Sequence, residues 1–330
     1  MSALSILAEV DQYPYRNKLA DTYIRSPMSL VSVFLFWSFR QVLNSTTTIT
    51  KQYAQLFAHG KYTKYMERHI KRSIDLIQKL EKDSIYNLGF SGGKDSIVLL
   101  DLTKKSGVKF EAVYSNTTID PPGTIPFIRN NYPEVKIVNP KESFFQLVAR
   151  KGLPSRQRRW CCEILKENYG VGKRNLEGMR WEESSGRSGY EPEQCDTRKK
   201  MKGACHVLPL LHWTEVQIWD YIRGNDLPYM KYYDPPYNFT RHGCVGCPLA
   251  QKQQMQLEFK TFPKYAFGLM KAIRKYQMLK PDSFWGKNFL NEYEAFYYYL
   301  HDMTLQDFKF MKSASLFEND FEKIIKKWLA

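Results

Sequence analysis

Residues 85–96 read Ile85-Tyr86-Asn87-Leu88-Gly89-Phe90-Ser91-Gly92-Gly93-Lys94-Asp95-Ser96, and the run Ile97-Val98-Leu99-Leu100-Asp101-Leu102 follows at once. An apolar, strand-like stretch runs into two glycines and a lysine between serines, then into a helix-like stretch. Gly92 and Gly93 permit a tight turn and let a ligand approach backbone that carries no Cβ. Free N–H groups at the start of the following helix suit an anion, and Lys94 adds a positive charge. A plain strand–turn–helix corner needs neither the second glycine nor the lysine, so the stretch reads as a phosphate-holding loop. It is not the Walker loop, because the GxxxxGK[ST] spacing is absent.

The rhythm around this loop sets the fold class. Strand patterns fall at Ser84–Phe90, Lys109–Tyr114, Val135–Asn139 and Arg174–Met179, with helical patterns at Ile97–Lys105, Pro126–Asn131 and Phe144–Lys151. This alternation predicts an α/β fold with a doubly wound parallel sheet. Ligands of such sheets sit beyond the carboxyl ends of the strands, where the loop falls. Residues 1–82 read as a helical N-terminal extension, with Met66, Ile70, Ile74, Ile77 and Leu80 on one apolar helix face. Residues 83–250 form the expected catalytic domain. Residues 251–330 read as a helical, aromatic-rich C-terminal region, with Tyr297-Tyr298-Tyr299 and Phe308–Phe310 expected in a core rather than as base-stacking platforms. Residues 183–205 are polar with few large apolar groups and are expected to form a mobile lid.

Composition narrows the partners. The chain has 330 residues, 43% of them hydrophobic, enough for a full core without disulfides. A net charge of +15 favours polyanionic partners or anionic substrates, although its spread along the chain also fits a solvated basic surface. No secretory signal is visible. The apolar run Met28–Trp37 is broken by Ser29 and Ser32 and closed by Arg40, too short to span a bilayer, and reads as a buried helix. A cytoplasmic location is expected, where paired cysteines more often bind metal or carry redox chemistry than act as staples.

Six cysteines fall in distinctive places. Cys161-Cys162 is followed, after eighty-one intervening residues, by Cys244-Val245-Gly246-Cys247-Pro248. Two close pairs can converge on one centre, a [4Fe–4S] cluster or a tetrahedral zinc, or can remain unligated thiols. Adjacent cysteines suit a zinc knuckle poorly, since that motif prefers CxxC twice. Arg156, Arg158 and Arg159 crowd the first pair. They could offset the charge of a thiolate-bound cluster, hold a substrate phosphate, or form a solvated basic loop. Cys195 and Cys205 read as a nucleophile, a sulfur relay or inert thiols.

Two further elements point to anion and nucleotide contacts. Gly178-Met179-Arg180-Trp181-Glu182-Glu183-Ser184-Ser185-Gly186-Arg187 ends a strand pattern and places two arginines around a Glu-Ser pair. Arginine forks match phosphate or sulfate oxygens; by spacing alone a surface loop fits as well. Ser115-Asn116-Thr117-Thr118-Ile119-Asp120-Pro121 follows the second strand. Its Asn116 and Thr117 could meet adenine or ribose and Asp120 a cation, or the segment could be an Asx turn before two prolines.

The SGGKDS stretch resembles the pyrophosphate loop (PP-loop) of the ATP-pyrophosphatases and the phosphoadenosine-phosphosulfate (PAPS) reductases. The CC pair with a later CxxC is similar to the cluster motif of adenylyl-sulfate (APS) reductases and of the DNA-phosphorothioation ATP-pyrophosphatases. The Gly178–Arg187 stretch resembles the family's GxRxxES…R element, and Asn116-Thr117…Asp120-Pro121 a segment of the phosphorothioation branch. The order SGGKDS, CC, GxRxxES, a Pro209…Trp213-Thr214-Glu215…Trp219 segment and GCxxCP covers residues 84–250.

The resemblance implies the adenine nucleotide alpha-hydrolase type of sheet, with Ser91, Gly92, Gly93, Lys94, Asp95, Ser96, Asn116, Thr117, Gly178, Arg180, Glu183 and Ser184 around the nucleotide. Lys94, Asp95, Arg180 and Arg187 become the expected catalytic residues. Cys161, Cys162, Cys244 and Cys247 become the expected ligands of a [4Fe–4S] cluster.

Two activities follow. An ATP-pyrophosphatase would bind ATP and Mg²⁺ and adenylylate an acceptor, implied by resemblance to be the DNA backbone, for sulfur from a cysteine desulfurase. A sulfonucleotide reductase would bind APS or PAPS and attack the sulfate with a thiolate, which resemblance places in a C-terminal Glu-Cys-Gly-type tail. The last cysteine here is Cys247 and the chain ends Lys326-Lys327-Trp328-Leu329-Ala330, which favours ATP. A tRNA-thiolating enzyme and a non-catalytic nucleotide-binding scaffold are the remaining alternatives.

Overall fold

The structure, a computed structural model, describes residues 61–81, 85–197, 203–314 and 320–330. The apolar run at 28–37 and most of the expected N-terminal extension lie outside the described residues. Residues Met66–Ala330 form one compact unit.

A six-stranded sheet organises this unit. Its strands are β1 (Tyr86–Gly89), β2 (Phe110–Ser115), β3 (Lys136–Val138), β4 (Arg174–Leu176), β5 (Glu193–Cys195) and β6 (Cys205–Val207). Their spatial order is β3-β2-β1-β4-β6-β5. All neighbours pair in parallel except β5, which runs antiparallel to β6 at the edge. The chain winds outward from β1 to β3, then crosses back to start the other half at β4. The direction of winding therefore switches at β1, and the crevice beyond its carboxyl end is where such folds bind ligands. The expected parallel α/β sheet is what the chain forms.

The strands form where the apolar pattern demands it. Tyr86 and Leu88 are fully buried, as a central strand covered on both faces requires. The one polar residue between them, Asn87, donates to Asn175 Oδ1 on β4 at 2.7 Å. Helix α1 (Lys61–Lys79) lays Met66 and Ile77 inward, and Ser73 donates to the Pro209 carbonyl while accepting from the Trp213 indole. Helix α2 (Lys94–Ser106) starts at the loop, is nearly all buried from Ile97 to Leu102, and stops at Gly107 in the left-handed region, φ 75°.

Helices α3 (Thr124–Asn131), α4 (Phe144–Lys151), α5 (Trp160–Leu165) and α6 (Glu215–Gly224) complete the crossovers. Ser143 caps α4 in a reciprocal box with Gln146, and Thr214 does the same for α6 with Gln217. Helices α7 (Lys252–Thr261), α8 (Pro263–Leu279), α9 (Phe284–Lys287), α10 (Glu292–Leu300), α11 (Leu305–Ala314) and α12 (Phe321–Leu329) follow. Leu147 and Val148 of α4 share one core with Met255, Phe259, Leu269, Phe296 and Phe308 from these helices. Tyr299 and Phe308 are buried as the sequence suggests, whereas Phe310 is 72% exposed.

One expectation is overturned. Residues 183–205 are not simply a lid: they run from the end of the 3-10 turn Trp181–Glu183 through a second turn, Ser185–Arg187, and the edge strand β5 to the start of β6. Both strands are three residues long, Glu-Gln-Cys and Cys-His-Val, too short to give an alternation to read. Edge position explains the polar composition of β5, because only part of an edge strand must be buried; β6 lies between β4 and β5 and buries Val207.

Candidate active site

The loop between β1 and α2 is built by its own hydroxyls. Ser91 N–H donates to Ser96 Oγ at 3.2 Å, Gly93 N–H donates to Ser91 Oγ at 3.2 Å, and Ser96 Oγ donates to the Gly93 carbonyl at 2.8 Å. Gly92 takes φ 75° at the turn. Gly93 caps α2 with no side-chain acceptor for the helix N–H groups. The Lys94 N–H donates instead to the Tyr233 hydroxyl at 3.0 Å, and the His242 N–H donates to the same oxygen at 3.1 Å. A neutral hydroxyl thus holds the position at the helix N-terminus that suits an anion.

Lys94 is buried, and its ammonium donates to the Thr240 carbonyl at 3.0 Å. Glu215 stands 3.5 Å away and Asp95 3.8 Å. The chain after the short turn Lys231–Tyr233 therefore passes directly over the loop.

The second anion element meets the first. Asp95 accepts from Arg180 Nε at 2.6 Å, and Arg180 is 3% exposed. Its NH1 donates to Glu182 at 2.7 Å, and its backbone N–H to Glu183 at 3.2 Å. Glu183 also pairs with Arg187. Gly178 permits this approach: a Cβ there would lie 3.2 Å from the Asp95 backbone. Ser184 is exposed at the end of the 3-10 turn. Burial lowers the Arg187 pKa, with the Arg241 charge pushing the same way.

The third element follows β2, the parallel neighbour of β1. Asn116 Oδ1 accepts from the Thr118 N–H at 2.9 Å, an Asx turn, while its amide donates to Asn139. Thr117 is 1% exposed and faces Cys244, whose thiol donates to its hydroxyl at 3.5 Å. Asp120 is taken by the Tyr114 hydroxyl at 2.6 Å.

The four quartet cysteines are free thiols, each half-buried. Cys161 and Cys162 lie on α5 and share a side-chain hydrogen bond, and Cys161 also lies in the fields of Cys244 and Cys247. That bond, helped by Lys166 and Arg159, lowers the Cys162 pKa to about 6, whereas burial pushes Cys244 up to about 12. The CxxC turn is shaped for close packing. Gly246 has φ 71°, and a Cβ would fall 2.2 Å from the Phe259 ring. Glu258 accepts the Gly246 N–H at 2.8 Å, and Ile119 accepts from Val245. Arg156 ties the two halves by donating to the Pro248 carbonyl at 3.2 Å. Helix α5 and the CxxC turn thus bring Cys161, Cys244 and Cys247 against one core, with Cys162 bonded to Cys161; four thiols are the donor type an iron–sulfur centre uses. Among the described residues, no three His, Cys, Asp or Glu side chains are gathered for a single metal ion.

Cys195 and Cys205 face each other across β5 and β6 and form a disulfide. Cys205 opens its strand, opposite Arg174, at the end of the sheet away from the loop. Neither thiol is placed as a nucleophile or relay for chemistry at Lys94. The bridge closes a short loop, so chain entropy gives it about 3 kcal/mol. The double serine variant is expected to unfold at lower denaturant and to keep nucleotide turnover; loss of turnover at full stability would contradict this placement.

Next to the bridge, His206 Nδ1 meets Glu177 at 2.7 Å and Nε2 lies 3.6 Å from Asp196. The Glu177 hydrogen bond raises its pKa. That stabilisation is complete below the unfolded value near 6.5 and is lost as pH rises through the raised folded value. Wild type should therefore lose more stability than His206→Gln on going from pH 6 to 9; parallel denaturation curves would refute the ion pair.

With this geometry in view, the comparisons are decisive at one level. The model of the phosphoadenosine phosphosulfate reductase domain matches residues 85–250, just over half of the chain. The chain belongs to this PAPS reductase domain family. The match runs from the residue before β1 to just past the CxxC turn. An APS reductase of Oceanobacillus iheyensis is 30% identical over 177 residues, covering 50% of this chain and 71% of that enzyme. An uncharacterised protein of Methanocaldococcus jannaschii is 30% identical over 202 residues, 57% of this chain and 41% of the relative. A second protein of that organism is 28% identical over 228 residues. The matched stretch spans about half the length of these two relatives.

Among solved structures, PAPS reductase from Candida auris in a phosphate complex is 18% identical, with TM-score 0.40 over 55% of this chain and 94% of that one. The U34-tRNA thiolase of Methanococcus maripaludis with its [4Fe-4S] cluster is 17% identical, with TM-score 0.37 over 66% and 81%. No helix among the described residues is long and apolar enough to cross a membrane.

Sequence reasoning singled out Lys94, Asp95, Arg180 and Arg187, and the fold gathers them. It missed Tyr233, Thr240 and His242. These meet the loop through a hydroxyl, a backbone carbonyl and a backbone N–H, and no motif marks them.

Proposed function

We propose that this PAPS reductase family member is an ATP-pyrophosphatase that adenylylates an acceptor for sulfur insertion. One observation carries the choice over a sulfonucleotide reductase: no thiol of this chain is left near the loop to attack a sulfate. Cys161 hydrogen-bonds with Cys162 and lies in the fields of Cys244 and Cys247, and the remaining two cysteines are joined at the opposite end of the sheet.

In this reading the β- and γ-phosphates of ATP, with Mg²⁺ as counterion, enter the Ser91–Ser96 loop and take over the Lys94 N–H from Tyr233. Lys94 then neutralises charge on the pyrophosphate. Arg180 holds Asp95 in place beneath the loop, and Arg187 faces the phosphate chain. An acceptor oxygen attacks the α-phosphorus, the bond to the bridging oxygen breaks, and pyrophosphate leaves with the electron pair. The proton of the acceptor, if it carries one, passes to solvent. Positioning and fixed charge supply most of the rate. Cys161, Cys162, Cys244 and Cys247 would hold the [4Fe–4S] cluster, which when bound supplies electron-transfer or sulfur-binding capacity. Lys166, whose pKa is raised chiefly by Cys244, would offset its negative charge.

The net charge of +15 and the exposed Arg158 and Arg159 beside the first cysteine pair support DNA as the acceptor, with a cysteine desulfurase as sulfur source. The test is ATP labelled at the α-phosphorus, offered with duplex DNA at rising salt. Label should pass to the DNA, and binding should weaken steeply with salt through counterion release. Pyrophosphate release without labelled DNA would remove DNA as the acceptor. The APS reductase relatives favour the second reading, a reductase releasing sulfite.

A further inference from the structure

The cations identified at the loop are already committed. Lys94 is shared among Thr240, Glu215 and Asp95; Arg180 pairs with Asp95 and Glu182; Arg187 pairs with Glu183. Arg241 differs. It is half-buried, and among the described residues its guanidinium makes no hydrogen bond or ion pair.

Its position is nevertheless fixed on both sides. The preceding carbonyl, of Thr240, accepts from Lys94 at 3.0 Å, and the following N–H, of His242, donates to the Tyr233 hydroxyl that also holds the Lys94 N–H. The ring of His242 packs over the loop: a Cβ on Gly92 would lie 3.6 Å from its Nε2, and a Cβ on Gly93 3.5 Å from its carbonyl. The Arg241 guanidinium folds back along its own chain, since a Cβ on Gly243 would lie 3.0 Å from NH2. Its charge reaches Arg187 on one side and Glu258, behind the CxxC turn, on the other. Two guanidiniums therefore share one region, and among the described residues one of them makes no ion pair. Holding like charges together is unfavourable unless an anion completes the site.

We propose that Arg241 is a ligand-binding residue that takes the α-phosphate, the anionic group next along the nucleotide from the pyrophosphate held by the loop. The proposal rests on the nucleotide reading given above and assigns a residue that reading does not use. Among the described residues the guanidinium makes no ion pair that an arriving phosphate would have to displace, whereas Arg180 and Arg187 are each paired with a carboxylate. Because the same segment continues through Gly243 into Cys244, the contact also ties nucleotide occupancy to the cysteine turn.

Equilibrium binding on the full chain, with its metal centre loaded, separates the possibilities. Arg241→Ala should weaken Mg-ATP about tenfold or more, the scale of a lost charge-assisted contact. It should leave inorganic pyrophosphate affinity unchanged, which also shows that the loop is still folded. Arg241→Lys should restore part of the ATP affinity. Unchanged ATP affinity in Arg241→Ala, or an equal loss for ATP and pyrophosphate, overturns the assignment; the latter makes the residue a support of the loop. If wild-type protein binds APS and not ATP, the ATP reading falls while the arginine is judged by the same variant on APS. Wild type that binds none of the three ligands overturns both.

Discussion

Lys94→Ala should cost about 10²–10³-fold in nucleotide turnover, the usual range for removing one fixed group that stabilises transition-state charge. The physical reason is its address. Its Nζ is held at the start of α2 by the Thr240 carbonyl, with Glu215 and Asp95 nearby, so it needs no reorganisation to meet an arriving phosphate. The fold should survive the change, because Asp95 keeps its 2.6 Å bond to Arg180 and Tyr233 still caps the helix N-terminus through the Lys94 N–H. Lys94→Arg should recover only a fraction, since a planar fork does not fit a site built for a point charge. Steady-state pyrophosphate release measures both variants. Turnover within a factor of two of wild type for Lys94→Ala would remove the loop from the mechanism.

Cys244→Ser should remove the metal centre. Cys244 sits in the tight turn whose Gly246 lies against Phe259, and its thiol faces Thr117 and the α5 pair. An adjacent pair on α5 and a later CxxC turn suit the proposed [4Fe–4S] cluster better than a zinc knuckle, which prefers CxxC twice. Wild-type protein purified without oxygen should be brown and carry about four irons per chain. The variant should be colourless and unfold at lower temperature, because ligand binding to the folded state is folding free energy. A colourless wild type with one zinc, or a serine variant that keeps its colour, would contradict the assignment.

Much of this architecture could be read from residues, and the reasons are specific. The β1–loop–α2 unit declared itself because Tyr86 and Leu88 must be buried and Gly92 must turn. Helix α4 was legible from end to end, with its Ser143 cap marking the start and Gly152 the stop. Strands β5 and β6 were not, since three residues each, mostly polar, carry no periodic signal. The Cys195–Cys205 bridge escaped for a related reason: only the antiparallel register places the two opposite each other.

In the site, the glycine and arginine motifs could be recognised, but the Tyr233 hydroxyl over the loop could not. It arrives from a segment without period, 139 positions away, and is held by backbone groups that every residue possesses. Arg241 is silent in the sequence for the same cause. Its meaning comes from Thr240 and His242 being pinned on either side, a tertiary fact.

The most direct test of the central claim sets the two nucleotide chemistries side by side. Loaded, anaerobic protein is given Mg-ATP with duplex DNA in one reaction, and APS or PAPS with a thiol reductant in another. Pyrophosphate and sulfite are measured in both. Pyrophosphate is expected from ATP, absent in Lys94→Ala, with no sulfite from either sulfonucleotide. Sulfite without pyrophosphate would contradict the central claim and make the protein a sulfonucleotide reductase.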